Sequence, residues 1–131
     1  SSAQDLKEAA TTLAARYNCA ILAKGGHLSG TNCTDMLVHP DGRGFAWEHP
    51  RTEGISTHGT GCTLSSAIAA LMARGYALPN AVSEAKRYVS EAIRSGADIK
   101  IGHGFGPVNH GFNPLKMVNL SYCTFKSPPP A

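Results

Sequence analysis

The stretch ISTHGTGCTLSSAIAALMARG, residues 55–75, joins a polar, glycine-rich turn to a long apolar segment and sets Cys62 at the junction. Its second half has the composition of a helix and ends at Gly75, the residue type favoured just past a helix C-terminus. Its first half leaves backbone N–H groups at the positive end of that helix without intrahelical partners, which is the chemistry of an anion site. Gly59 and Gly61 allow positive φ and close approach of a ligand to the backbone. The amides of Gly59, Thr60, Gly61 and Cys62 can therefore surround a phosphate, and the same dipole favours the thiolate of Cys62. The local pattern fits equally well a tight turn in which Thr60 caps the helix and Cys62 is a small core residue. A third reading, with His58 as base for a nucleophilic Cys62, is disfavoured, because such pairs are assembled from distant segments and not across one turn.

Upstream of this stretch, Leu6, Ala9, Ala10, Leu13 and Ala14 recur at helical spacing and lead to Tyr17, predicting an amphipathic helix over residues 3–16. CAILAK, residues 19–24, is a short apolar run between Asn18 and Gly25 that suits a buried strand of a parallel sheet. Lys24, Gly25, Gly26 and His27 then fall at the carboxyl end of that strand, where open α/β sheets bind ligands. Lys24 can meet a phosphate there as a point charge, and a solvated lysine before a glycine turn is the plain alternative. Met36 to His39 and Phe45 to His49 read as two strands of a hairpin around Pro40-Asp41-Gly42-Arg43-Gly44.

Downstream, Pro79 suits the first turn of a helix whose apolar face is Ala81, Val82, Ala85, Tyr88, Val89, Ala92 and Ile93, running to Gly96. From Ile99 the sequence IKIGHGFGPVNHGFNP is loop-like, and the tail to Ala131 closes on three prolines without a period. No internal repeat is present. Helix, strand, glycine turn and hairpin in this order predict an α/β fold.

Composition narrows the function classes. The chain has 131 residues, 42% hydrophobic and 16% charged, enough for one globular domain with a core. Its formal charge of +3 is spread without a basic cluster, which argues against nucleic acid. No apolar run has the length of a membrane span and the first residues lack a signal-peptide pattern, so a cytosolic protein without a membrane partner is expected. Cys19, Cys33, Cys62 and Cys123 are widely spaced without a CxxC pair and are expected to be free thiols. His27, His58, His103 and His110 fit no metal-ligand spacing, so no metal ligand is assigned.

Four blocks together carry a resemblance: AKGGHL, THGTGCTLSSAIAALMARG, AVSEAKRYVSEAI and GHGFGPVNH, in this order and spacing. They resemble the C-terminal half of the hydroxymethylpyrimidine/phosphomethylpyrimidine kinases of thiamine biosynthesis, over roughly residues 1–111. The resemblance implies the C-terminal half of a ribokinase-like three-layer α/β/α fold with a mainly parallel sheet and a hairpin. It implies domain residues 1–113 followed by an irregular tail, 114–131. It also implies ATP-dependent phosphorylation of the hydroxymethyl group of an aminopyrimidine and then of its monophosphate, with Mg2+ as cofactor, by a homodimer. In that reading Gly59, Thr60, Gly61 and Cys62 form the anion hole, and Cys62 is the catalytic proton acceptor where most ribokinase-like kinases carry an aspartate. Lys24, Gly25, Gly26, Thr57, His58 and Lys86 lie on the ATP side, with Gly104 to Val108 near the nucleotide.

The pyrimidine pocket and the acidic residues near magnesium belong to the family's N-terminal half. This chain is therefore expected to be the ATP-side half, inactive alone. Pyridoxal kinases and hydroxyethylthiazole kinase share a similar turn, and a noncatalytic nucleotide- or anion-binding fragment is the alternative from another class.

Overall fold

The computed structural model of the chain describes residues 2–26, 32–50, 59–99 and 106–115. The elements run α1 (Ala3–Tyr17), β1 (Ile21–Ala23), β2 (Asn32–Val38), β3 (Gly44–Pro50), α2 (Thr60–Ala73) and α3 (Leu78–Gly96). Ser2 starts α1 by a capping box: its hydroxyl accepts from the Asp5 N–H at 3.2 Å, and the Asp5 carboxylate accepts from the Ser2 N–H at 2.8 Å. Asn18 ends the helix in the left-handed region, φ 48°. The buried line of α1 is Ala10 and Ala14, whereas Leu13 and Tyr17, expected on the same face, are exposed. Ala10 and Ala14 lie four apart, directly one above the other on the helix surface, and their small side chains let the helix sit close to the sheet.

The three strands form one sheet in the order β1-β2-β3, with both pairs antiparallel. The expected parallel pairing of the CAILAK strand is thereby corrected for the described strands. Residues 24–31, the link from β1 to β2, are too few for the crossover of a dozen or more residues that parallel neighbours need. What the apolar run did signal is coverage on both faces. Ile21 and Ala23 pack with Ala10, Ala14 and Val38 on the α1 side. Leu22, between them, packs with Leu64 of α2 and with Ala85 and Val89 of α3. The hairpin is as expected, with β2 starting earlier than the sequence suggested; the His39 N–H donates to the Arg43 carbonyl at 2.8 Å and Gly42 turns the chain at φ 84°.

Register fixes which residues face α3. Leu22 stands opposite Leu37, and two positions along β2 Asp35 stands opposite Trp47. Cys33, Asp35 and Leu37 alternate with Thr34 and Met36, so the buried trio shares one face. Trp47 of β3 anchors that face to α3, its indole N–H donating to the Ser83 hydroxyl at 2.9 Å.

The expected stripe of α3 is realised, with Ala81, Val82, Ala85, Val89, Ala92 and Gly96 buried. The chain then returns along this helix: Asn109 N–H donates to the Ala92 carbonyl at 3.0 Å, and the Tyr88 hydroxyl to the His110 carbonyl at 2.9 Å. A side chain at Gly96 would collide with the Pro107 carbonyl, which is why this helix surface ends in glycine. Among the described residues, no helix is long and apolar enough to cross a membrane.

Candidate active site

Gly59 precedes α2 in the left-handed conformation, φ 80°, so the residue type at this position is set by the turn. Gly61, by contrast, lies inside the first helical turn and needs no positive φ, which corrects the expectation for that glycine. Thr60 is likewise a helical residue and not the cap. The α2 N-terminus has no acidic residue in its first turn and no side-chain cap bond. The carbonyls of the turn are taken: Gly59 accepts from the Thr63 N–H at 2.9 Å and from the Thr63 hydroxyl at 2.8 Å, and Gly61 from the Ser65 hydroxyl at 3.0 Å. Among the described residues, nothing lies within 4 Å of a Cβ added at Gly59 or Gly61. Cys62, the third helical residue, is exposed beside this open space as a free thiol.

The second part of the site is assembled by a residue the sequence reading did not single out. Asp35 has a side chain only 5% exposed. One of its oxygens, Oδ1, accepts from the Gly25 N–H at 2.9 Å. The other, Oδ2, accepts from the Lys86 ammonium and stands 3.5 Å from His49 Nε2. Burial by itself pushes this carboxyl up, but the hydrogen bonds from Lys86 and Gly25 and the charges of Lys86 and His49 outweigh it and hold Asp35 below the ordinary aspartate range. A lone carboxylate at an inward position of an apolar strand is the signal that marks it, since such a group is seldom buried unless paired.

Two of the expected ATP-side residues, Gly25 and Lys86, thus meet on one carboxylate although they are remote in sequence. Gly25 is buried, and a side chain there would strike the backbone of Thr34. Lys24 and Gly26 on either side of it are exposed. Thr57 and His58, with His27, His103 and Cys123, lie outside the described residues. A shared core links the segments: Leu22, two residues before Lys24, packs with Leu64, two after Cys62, and with Ala85, next to Lys86. No group of three His, Cys, Asp or Glu side chains able to hold a metal occurs among the described residues. The one buried carboxylate recorded there is already bound to Lys86 and Gly25. These residues do not fit a magnesium site of their own.

Comparison with known proteins agrees with the four sequence blocks. Residues 1–109 match the phosphomethylpyrimidine kinase family model. The hydroxymethylpyrimidine/phosphomethylpyrimidine kinase of Streptomyces coelicolor is 45% identical over 109 residues, covering 82% of this chain and 39% of that protein. The Escherichia coli enzyme of the same name is 40% identical over 107 residues, covering 82% of this chain and 40% of that one. Among solved structures, the pyridoxal kinase of Staphylococcus aureus in complex with ADP superposes with a TM-score of 0.75 at 28% identity, over 89% of this chain and 43% of that one. The chain thus spans less than half the length of these relatives. By the family match over residues 1–109 and these identities, the chain belongs to the phosphomethylpyrimidine kinase family.

Proposed function

We propose that this chain forms the ATP-side part of a kinase that phosphorylates 4-amino-5-hydroxymethyl-2-methylpyrimidine and then its monophosphate. The observation that carries the reading is the α2 N-terminus: a left-handed glycine, no acidic side chain in the first turn, no described atom within 4 Å of a Cβ at Gly59 or Gly61, and an exposed thiol on the first turn. Helix N-termini of this kind favour anions through aligned N–H groups and the helix dipole. Gly59, Thr60, Gly61 and Cys62 receive the transferring phosphate, and Lys24, Gly25, Gly26 and Lys86, with Thr57 and His58, lie toward the nucleotide.

Cys62 takes the proton of the attacking hydroxyl. Phosphoryl transfer proceeds through a loose transition state with little bonding to the attacking oxygen, so positioning and charge stabilisation dominate and a thiolate, which takes the proton and becomes the thiol, suffices as acceptor. Removing one preorganised donor of the turn is expected to slow transfer on the order of a hundred- to a thousandfold. Helices on both faces of the sheet fit a three-layer ribokinase-like frame, with the acceptor pocket, the magnesium ligands and the dimer contacts supplied from outside this segment, in a cytosolic enzyme.

The likeness to a pyridoxal kinase supports a second acceptor, pyridoxal, on the same ATP side. Steady-state rates on hydroxymethylpyrimidine and on pyridoxal separate the two, using this segment within a protein of the relatives' length. The pyrimidine reading expects the higher kcat/KM on hydroxymethylpyrimidine. Wild-type turnover by the Cys62→Ala protein would remove Cys62 from the chemistry.

A further inference from the structure

Asp35 divides its two carboxylate oxygens between segments that are remote in sequence. Oδ1 holds the Gly25 N–H at 2.9 Å, and Oδ2 holds the Lys86 ammonium with His49 Nε2 at 3.5 Å. Stability alone gives little reason for such an arrangement. Replacing both members of a buried pair by apolar side chains is often neutral or stabilising, and Leu37, two residues on, shows that this face accepts a large apolar group.

What the carboxylate does is fix geometry. Lysine is a point charge on a flexible stem, and on its own it surveys many positions. Bound to Asp35, the Lys86 ammonium is held beside the Gly25 amide at the end of β1, with its side chain only 16% exposed. An ammonium carries three donors, so the bond to Asp35 does not exhaust it. Gly25 is fixed from its other side, since its Cα faces the Thr34 backbone too closely for a side chain.

Resting on the nucleotide-site reading above, we infer that Asp35 is a positioning residue for the nucleotide's phosphates. Through its two oxygens it locks the Gly25-Gly26 turn and the Lys86 ammonium into one frame, so that the turn and the cation present to the same phosphate chain. It touches no nucleotide itself; it acts through Lys86 and Gly25.

Calorimetric titration with ADP and with adenosine tests this, with the segment carried in a protein of the relatives' length, either unsubstituted, as Asp35→Asn, or as the double variant Asp35→Leu/Lys86→Met. Asparagine keeps an acceptor for the Gly25 N–H but not the charge that holds Lys86. Asp35→Asn is therefore expected to weaken ADP about tenfold while adenosine stays within about twofold. The double variant restores apolar packing without the ammonium, and is expected to fold and to show at least the same selective loss for ADP. If Asp35→Asn does not fold, the double variant decides alone, because a purely structural pair would let it regain full ADP affinity. Unchanged or tighter ADP binding by Asp35→Asn, equal losses for ADP and adenosine, or full ADP affinity in the double variant overturns the inference. Absence of ADP binding by the unsubstituted protein is a different result; it refutes the nucleotide-site reading and the inference with it.

Discussion

Lys86 on α3 and Asp35 on β2, 51 positions apart, form an ion pair whose side chains are only 16% and 5% exposed. The pair joins the helix to the sheet at the point where the Gly25 turn leaves β1. Its energetics are asymmetric: breaking one partner strands a buried charge, whereas replacing both does not. Lys86→Met is expected to destabilise the chain by about 3 kcal/mol, and Asp35→Leu/Lys86→Met to recover most of that loss. Urea unfolding curves of the three proteins check this; equal midpoints for Lys86→Met and the parent would mean the pair is not held in solution.

Acid should loosen the same junction. Asp35 is held below the ordinary aspartate value of 3.8, so its ionised form favours the folded chain. The stabilisation is present above that value and is lost as pH falls through the lower, folded-state one. Between about pH 6 and pH 3 the unfolding midpoint of the parent is expected to drop more than that of Asp35→Asn, which has no such proton to take up. Parallel pH profiles of the two proteins would contradict this assignment.

Adjacent glycines in the turn should respond unequally. A Cβ at Gly25 would overlap the Thr34 carbonyl oxygen and stand 3.0 Å from its carbon and 3.1 Å from its nitrogen, whereas one at Gly26 meets no described atom within 4 Å. Gly25→Ala is expected to cost about 1–3 kcal/mol as overpacking against backbone. Gly26→Ala is expected to stay within about 0.5 kcal/mol. Thermal melts of the two variants test the contrast, and similar shifts would place the turn differently.

Core truncation gives a check on the sheet register. Leu37 is 1% exposed and stands opposite Leu22 on the face that packs against α2 and α3. Leu37→Ala is expected to cost about 2–5 kcal/mol, most of it from the cavity left between sheet and helices. Met36→Ala, on the other face and only half-buried, should cost less. The reverse order in urea unfolding would mean a register shifted by one residue.

Sequence carried the helices well because their signals are local. The α3 stripe from Ala81 to Gly96 has a period that only one packing face satisfies, and the structure buries that face. Strand direction was not legible in CAILAK. An apolar run follows from helices covering both faces, and parallel and antiparallel neighbours satisfy that equally; only the short link of residues 24–31 discriminates. On α1 the period was right, but small Ala10 and Ala14 took the contact while Leu13 and Tyr17 stayed exposed. The start of α2 after Gly59 could be read from glycines before an apolar run, although Thr60 and Gly61 belong to the helix itself. Asp35 could not be assigned a partner, because its meaning lies in Lys86 and Gly25, which only the fold brings to it.

If the α2 N-terminus receives phosphate, a side chain at Gly61 stands in the way of that phosphate. A side chain there meets no described atom within 4 Å, so Gly61→Val enters the open space above the turn without disturbing the described fold. Calorimetric titration with AMP-PCP, which carries the third phosphate that ADP lacks, is expected to give saturable binding and at least about tenfold weaker binding by Gly61→Val, with circular dichroism unchanged. Equal AMP-PCP affinity for the two proteins would mean that the α2 N-terminus does not hold the transferring phosphate.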